Sequence, residues 1–140
     1  MIALRLVVDT NVLVSAALEP EGLPRAVLTI AVTRPAKLYI SPEILDEYRR
    51  VLARREFRLG RGFRQGLLHL ITNRARLVRP SRTLEVARDP DDNIFLECAD
   101  AADADYLVTG NSKHFPGYWK RTKVVSPREF MDIVTPHLLP

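Results

Sequence analysis

The sequence has few of the residues that build disulfide scaffolds, zinc clusters and membrane spans. Its 140 residues include one cysteine, Cys98, and three histidines, His69, His114 and His137. A single cysteine excludes an internal disulfide and a cysteine-based zinc cluster, and the histidines lack metal-ligand spacing. No apolar run reaches the roughly 18 residues of a membrane span, and the N-terminal one is too short for a signal peptide. We therefore expect a cytoplasmic protein without a membrane partner.

The overall composition is that of an ordinary globular chain. Hydrophobic residues make up 46% and charged residues 27% of the sequence, values close to the average for soluble domains. A chain of this length forms one hydrophobic core, and no repeat, linker or low-complexity tract divides it. We predict that residues 1–140 form a single domain.

The charge is unevenly distributed along the chain. The formal net charge of +4 is only a mild basic excess. However, residues 49–88 hold 12 basic and 2 acidic side chains, whereas residues 89–105 hold 7 acidic side chains and no basic one. Most arginines in such a run lie on solvated helix surfaces, but a polyanion is a suitable partner for part of it. Arg49 and Arg50 are the candidates for contact with that polyanion.

Short apolar runs alternate with helical patterns. Strands are predicted at 3–9, 37–41, 76–78 and 106–109, helices at 12–18, 25–33, 42–54, 62–73 and after Asp89-Pro90, and a further strand and helix within 123–134. This alternation is typical of βαβ units. It predicts a three-layer α/β/α sandwich with a central parallel sheet of about four to five strands.

Three carboxylates are expected at one edge of this sheet. Asp9 ends the first strand, and ligands of open parallel sheets bind at the carboxyl ends of the strands. Glu47 lies at the edge of the apolar stripe of its helix, about 40° beyond Val51 at 100° per residue. Asp92 lies where the acidic segment enters the helix before the fourth strand. Both side chains can therefore reach the same edge as Asp9.

Converging carboxylates repel one another and require a compensating cation. Mg²⁺ or Mn²⁺ is the natural partner, because hard divalent ions prefer oxygen ligands and keep several waters. Such an ion polarises a phosphodiester and generates a hydroxide nucleophile. The sequence thus suggests metal-assisted phosphodiester hydrolysis, with the basic middle segment holding the polyanion.

Four runs in this order resemble the PIN domain family, and more narrowly the PIN-family toxins of toxin–antitoxin pairs. They are LVVDTNVLVSA, SPEILDEYRRVL, DPDDNIFLECA and DYLVTGN, and the similarity extends from residue 4 to about residue 130. The resemblance implies a metal-dependent ribonuclease that cleaves RNA, is neutralised by a cognate antitoxin protein and forms a homodimer.

The resemblance also implies roles for individual residues. The family's three acids fall on Asp9, Glu47 and Asp92, as catalytic residues and metal ligands, and its polar residue two positions after the first acid falls on Asn11. The family's usual fourth acid meets Asn111, a weaker ligand with one neutral carbonyl oxygen, so occupation of a second metal site is left open.

Two further residues are candidates for supporting roles. Thr109 either orients a ligand or water or ends a strand, and Asp89 is a candidate for lining the pocket. Because of Asn111, a catalytically weak PIN module that binds RNA or protein without turnover is the alternative function. A phosphoaspartyl phosphatase fits less well, since it requires two acids where this sequence has Asp9-Thr10-Asn11. The residues do not distinguish RNA from DNA as the substrate.

Overall fold

The computed structural model describes residues 3–138, which form a six-stranded sheet flanked by helices. The strands are β1 (Arg5–Val8), β2 (Lys37–Ile40), β3 (Arg76–Leu77), β4 (Tyr106–Val108), β5 (Tyr118–Trp119) and β6 (Thr122–Val125). The helices are α1 (Thr10–Leu18), α2 (Leu23–Ala31), α3 (Pro42–Leu52), α4 (Arg61–Arg74), α5 (Asn93–Ala102) and α6 (Pro127–Leu138). Short 3₁₀ turns cover Arg55–Phe57, Pro90–Asp92 and Ser112–His114.

The sheet has the order β3-β2-β1-β4-β6-β5. All neighbouring strands are parallel except β5, which pairs antiparallel with β6. The α/β class and the mostly parallel sheet are confirmed, but the sheet has six strands instead of the four to five predicted. The missing strand is β5, a two-residue segment. It is too short to show the alternation of polar and apolar residues that marks a strand.

The central strands are buried because the sheet is covered by helices. Leu6, Val7 and Val8 of β1 are each at most 1% exposed, as expected of an apolar run that is covered on both faces. The side chain of Ser41 caps α3 by accepting a hydrogen bond from the Ile44 N–H at 3.2 Å, with Pro42 as the first helical residue. This Ser-Pro start turns the chain from the carboxyl end of β2 directly into α3.

The prediction for the start of α5 was wrong in one respect. The sequence predicts this helix directly after Asp89-Pro90, but Asp91 and Asp92 belong to a preceding 3₁₀ turn, and α5 begins at Asn93. The reason is local, because the Asp89 side chain accepts a hydrogen bond from the Asp91 N–H at 3.0 Å and closes a tight turn. Asp92 is thereby left at the junction of the two elements.

Cys98 lies on the buried face of α5. Burial raises the pKa of its thiol to about 12, which keeps the sulfur protonated and unreactive at neutral pH. Across residues 3–138, none of the helices combines the length and the apolarity required of a membrane-spanning segment.

Candidate active site

Asp9 lies at the carboxyl edge of the sheet, directly after β1. Its backbone N–H donates to the Val108 carbonyl at 2.9 Å, which extends the pairing of β1 with β4 by one residue. The side chain caps α1 by accepting from the Thr10 N–H at 2.7 Å. Only 5% of Asp9 is exposed. Burial raises the pKa of this carboxyl, although its hydrogen bonds with Thr109 and Thr10 partly offset the effect.

A second group of contacts joins Asp9 to the end of β4. The Thr109 hydroxyl donates to Asp9 Oδ2 at 2.7 Å and accepts from the Asn111 N–H at 3.0 Å. The Asn11 side chain donates to the same Asp9 oxygen at 3.3 Å and accepts from the Gly110 N–H at 3.0 Å. Thr109 and Asn11 therefore hold the Asp9 carboxylate in one orientation, and their supporting role in function stays a prediction.

Glu47 reaches the same edge from α3. Its Oε2 accepts a hydrogen bond from the Thr10 hydroxyl, and 16% of its side chain is exposed. One residue along the helix, the buried Tyr48 hydroxyl donates to the Val8 carbonyl. Burial raises the pKa of Tyr48 well above its usual value, so the hydroxyl remains a donor. These two contacts fasten the middle of α3 to the start of α1 and to the end of β1.

Asp92 is in electrostatic contact with the other acids. Its pKa is raised to about 6, first by burial and then by the charges of Asp9, Asp89 and Glu47, whereas His114 lowers it. Asp92 makes no capping hydrogen bond to α5, so its carboxylate is not committed to the helix. Asp89 is exposed, and its charge acts on Asp92 across the turn. The structure thus brings Asp9, Glu47 and Asp92 to one edge.

The remaining candidates lie around this edge. Asn111 is exposed and, with Asn11, lines a pocket of about 260 Å³. Arg49 and Arg50 are exposed on the last turn of α3, and the Arg50 guanidinium lies 3.9 Å from Glu47 Oε1. His114 lies close enough to lower the pKa of both Asp9 and Asp92. Nothing in the sequence distinguished His114 from an ordinary loop histidine.

The donor set fits a hard divalent cation. Within residues 3–138, no three histidine, cysteine, aspartate or glutamate side chains are grouped closely enough to enclose a metal. Mg²⁺, however, keeps several waters and is commonly held by only one or two carboxylates. After burial, the charge of Asp9 raises the pKa of Asp92 and the charge of Glu47 raises the pKa of Asp9, which is the situation that a bound cation relieves. All the candidate donors are oxygens, which also matches Mg²⁺ or Mn²⁺.

Sequence reasoning missed the role of Thr10. Its N–H donates to the Asp9 carboxylate and its hydroxyl donates to Glu47, so one residue links two of the three acids. Thr10 is buried, with 6% of its surface exposed. The available signal was its position: the residue after a strand-end aspartate starts the next helix and faces the same crevice.

We expect Thr10→Val to weaken the site without unfolding the protein. Valine keeps the shape and the backbone N–H of threonine but releases Glu47 from its hydrogen bond. Loss of such an orienting contact typically lowers metal affinity or activity 10- to 100-fold. The measurement is Mn²⁺ affinity by calorimetry, with Thr10→Ser as the control that keeps the hydroxyl. Equal affinities for the valine and serine variants would contradict this role.

Comparison with known proteins places the chain in a family. The sequence profile described as the PIN domain matches residues 5–113, which covers β1 to β4 and all three acids. The chain therefore belongs to the PIN domain family.

Two individual proteins are similar over most of the chain. An uncharacterised protein of Methanocaldococcus jannaschii is 28% identical over 143 aligned positions, covering 94% of this chain and 92% of that protein. A chain in the crystal structure of VapBC2 from Rickettsia felis, bound to a DNA fragment from their promoter, superposes with a TM-score of 0.60. It is 17% identical, and the match covers 87% of this chain and 98% of that one. The second similarity shows a shared fold.

Proposed function

We propose that this protein is a metal-dependent endoribonuclease that hydrolyses RNA phosphodiesters, with Asp9, Glu47 and Asp92 as its catalytic acids. One observation carries the proposal. Three carboxylates from distant parts of the chain lie at the carboxyl edge of the sheet, where burial first and then the charges of Asp9, Asp89 and Glu47 raise the pKa of Asp92. Neighbouring carboxylates repel one another unless a positive charge compensates them, and a bound divalent cation would supply that charge.

In this proposal, Mg²⁺ or Mn²⁺ would be held by Asp9 and Asp92, with Glu47 and the weaker ligand Asn111 contributing directly or through water. The bound ion supplies Lewis acidity for the scissile phosphate and a nucleophilic hydroxide at neutral pH. Asp9 is suited to this task because Thr109, Asn11 and the Thr10 N–H orient its two oxygens.

The surrounding residues would bind and position the substrate. Arg50 lies beside Glu47 and is exposed, so its guanidinium is available to an RNA phosphate on the solvent side of the acids. Arg49 is exposed on the same turn. Asp89 would add negative charge at the edge of the site and strengthen its attraction for the cation.

We further propose that the protein is the toxin of a toxin–antitoxin pair and is neutralised by a cognate antitoxin protein. Membership of the PIN domain family and the fold shared with a chain of VapBC2 support this partner. Homodimer formation and a cytoplasmic location stay predictions.

The direct test of the activity is RNA cleavage by the purified protein. We expect internal cleavage of single-stranded RNA with Mg²⁺ or Mn²⁺, no cleavage with EDTA, and recovery when the ion is restored. Comparison with DNA of the same sequence tests the sugar preference. Robust cleavage in EDTA would refute the proposal.

One observation favours a second function. The position of the family's usual fourth acid holds the neutral and exposed Asn111, which lowers the negative charge available to a metal. A PIN module that binds RNA or a protein partner without turnover would fit this change. It predicts RNA binding that weakens steeply with salt but no metal-stimulated cleavage.

A further inference from the structure

The basic side chains of residues 49–88 do not all lie at the same edge of the sheet. Arg49 and Arg50 lie on α3, with Arg50 beside Glu47 of the acidic site. Arg76, in contrast, is the first residue of β3, as Lys37 is of β2. Because these strands run parallel to β1, their first residues lie at the amino edge, opposite the edge that carries Asp9.

A pocket of about 430 Å³ opens at this amino edge. We name it the amino-edge pocket; the residues that line it and carry the argument are Arg34, Lys37, Asn73, Arg74 and Arg76. The four basic side chains belong to exposed residues, and no carboxylate is found in the lining among the described residues. The size is that of a small-ligand site, but the lining is cationic.

The basic side chains of the amino-edge pocket have no acidic partner among the described residues. Arg5 and Arg25 donate hydrogen bonds to backbone carbonyls elsewhere. Within residues 3–138, by contrast, no basic side chain of the amino-edge pocket forms an ion pair within 4.0 Å, and the ion pairs observed involve other residues. Four positive charges held near one another repel, so this arrangement favours an anionic ligand.

The simplest structural explanation for these basic residues is that they neutralise the partial negative charges at nearby helix C-termini. The last turn of α4 and the residue that ends α2, Val32, border the pocket. Each helix C-terminus contributes roughly half a negative charge, so two of them offset about one of the four positive charges. About three of the four positive charges remain, and arginine is the side chain best shaped to bind phosphate oxygens in pairs.

We propose that the amino-edge pocket binds phosphate groups of a single-stranded nucleic acid, away from the acidic edge. Several spaced cations suit a ligand with repeated phosphates better than a single anion. In a ribonuclease the pocket would hold part of the RNA outside the cleavage site, so the identity of the strand as RNA rests on the proposed function. Binding of a strand does not itself require cleavage.

The experiment compares two charge-matched variants in EDTA. The pocket variant carries Arg34→Gln, Lys37→Gln, Arg74→Gln and Arg76→Gln. The control variant carries Arg54→Gln, Arg55→Gln, Arg61→Gln and Arg128→Gln, at four exposed positions that do not line the pocket. The probe is a fluorescent single-stranded RNA whose dissociation constant is measured at several salt concentrations.

We expect the pocket variant to bind RNA at least about tenfold more weakly than the control variant. Each lost phosphate contact lowers the salt slope by about 0.7, so the slope should fall by roughly 2 to 3. Equal binding by both variants would overturn the proposal. So would stronger competition for the pocket by polyglutamate than by unlabelled RNA, since the site would then suit an acidic protein.

Two further arms separate the possible outcomes. Pyrophosphate and a mononucleotide are titrated into the wild-type protein and both variants, to distinguish a free phosphate compound from a strand. Pocket-dependent binding of pyrophosphate together with pocket-independent binding of RNA would overturn the assignment to a strand. Pocket-dependent RNA binding without metal-dependent cleavage would refute the ribonuclease proposal but leave this one standing. Metal-dependent cleavage together with RNA binding that does not depend on the pocket would refute the pocket proposal and leave the ribonuclease proposal standing.

Discussion

Asp9→Asn is expected to lower metal-dependent RNA cleavage by at least about 10³-fold, equivalent to ~4 kcal/mol of transition-state stabilisation. Asp9 is the most buried of the three acids and accepts hydrogen bonds from Thr10, Asn11 and Thr109. Asparagine removes the charge that attracts the cation and leaves one oxygen instead of two. The measurement is the cleavage rate at saturating Mn²⁺ on a fluorescent RNA.

The fold should survive this substitution. The asparagine oxygen can still accept from the Thr10 N–H, and the Thr109 hydroxyl can rotate to accept from the new amide. Only the longer Asn11 contact, at 3.3 Å, is lost. Asp132→Asn, at an exposed position of α6, is the matched control and should cleave like the wild-type protein. Activity of Asp9→Asn within tenfold of the wild type would contradict the assignment of Asp9.

Asp92→Asn is expected to change activity and stability in opposite directions. Cleavage should fall by about 10²-fold, as a metal ligand or its immediate support is lost. The metal-free protein, however, should become more stable, because burial and the charges of Asp9, Asp89 and Glu47 disfavour the ionised form of Asp92. No hydrogen bond that caps α5 is lost.

The sign of the pH dependence follows from the direction of the shift. The pKa of Asp92 rises from 3.8 to about 6 on folding, so the folded state favours the protonated form. The penalty is absent below pH 3.8, grows as the pH rises towards 6, and is complete above it. Allowing for partial exposure to solvent, we estimate on the order of 1 kcal/mol.

Thermal unfolding in EDTA measures this effect. At pH 7.5 the melting temperature of Asp92→Asn should exceed that of the wild type by roughly 4 °C, and the difference should vanish near pH 4. Asp91→Asn, which removes an exposed charge from the same turn, is the control and should show a smaller change. A variant less stable than the wild type at pH 7.5 would indicate that Asp92 does not lie among repelling charges.

The sequence predicted those parts of the fold that depend on long apolar patterns. The first strand could be located because Leu6, Val7 and Val8 form a continuous apolar run that stops at Asp9. The start of α3 could be located because Ser41 and Pro42 favour a cap and a first helical turn. Strand β5 could not be located, because its two residues are too few to show an alternation of polar and apolar side chains. Its hairpin turns through Lys120, whose φ of 53° is not signalled by a glycine.

The convergence of the three acids on one edge of the sheet could be predicted from the sequence, but the hydrogen bonds that hold them could not. Asp9, Glu47 and Asp92 were expected at one edge because strand ends and helix starts of a parallel sheet converge there. The contacts that hold them were not expected, since the hydroxyls of Thr10 and Tyr48 reach partners 37 and 40 residues away. The sequence likewise did not determine which edge of the sheet each arginine of residues 49–88 lies near. The structure places Arg50 near the acids but Arg74 and Arg76 in the amino-edge pocket.

The most direct test of the central claim is a crystal structure of the protein soaked in Mn²⁺, with the ion located by anomalous scattering. Our account predicts an anomalous peak at the carboxyl edge of the sheet, within bonding distance of an Asp9 oxygen and facing Asp92. The same soak of Asp9→Asn should show the peak lost or strongly weakened. A fully ordered edge without a peak at Asp9, at Mn²⁺ concentrations that support RNA cleavage, would contradict the account.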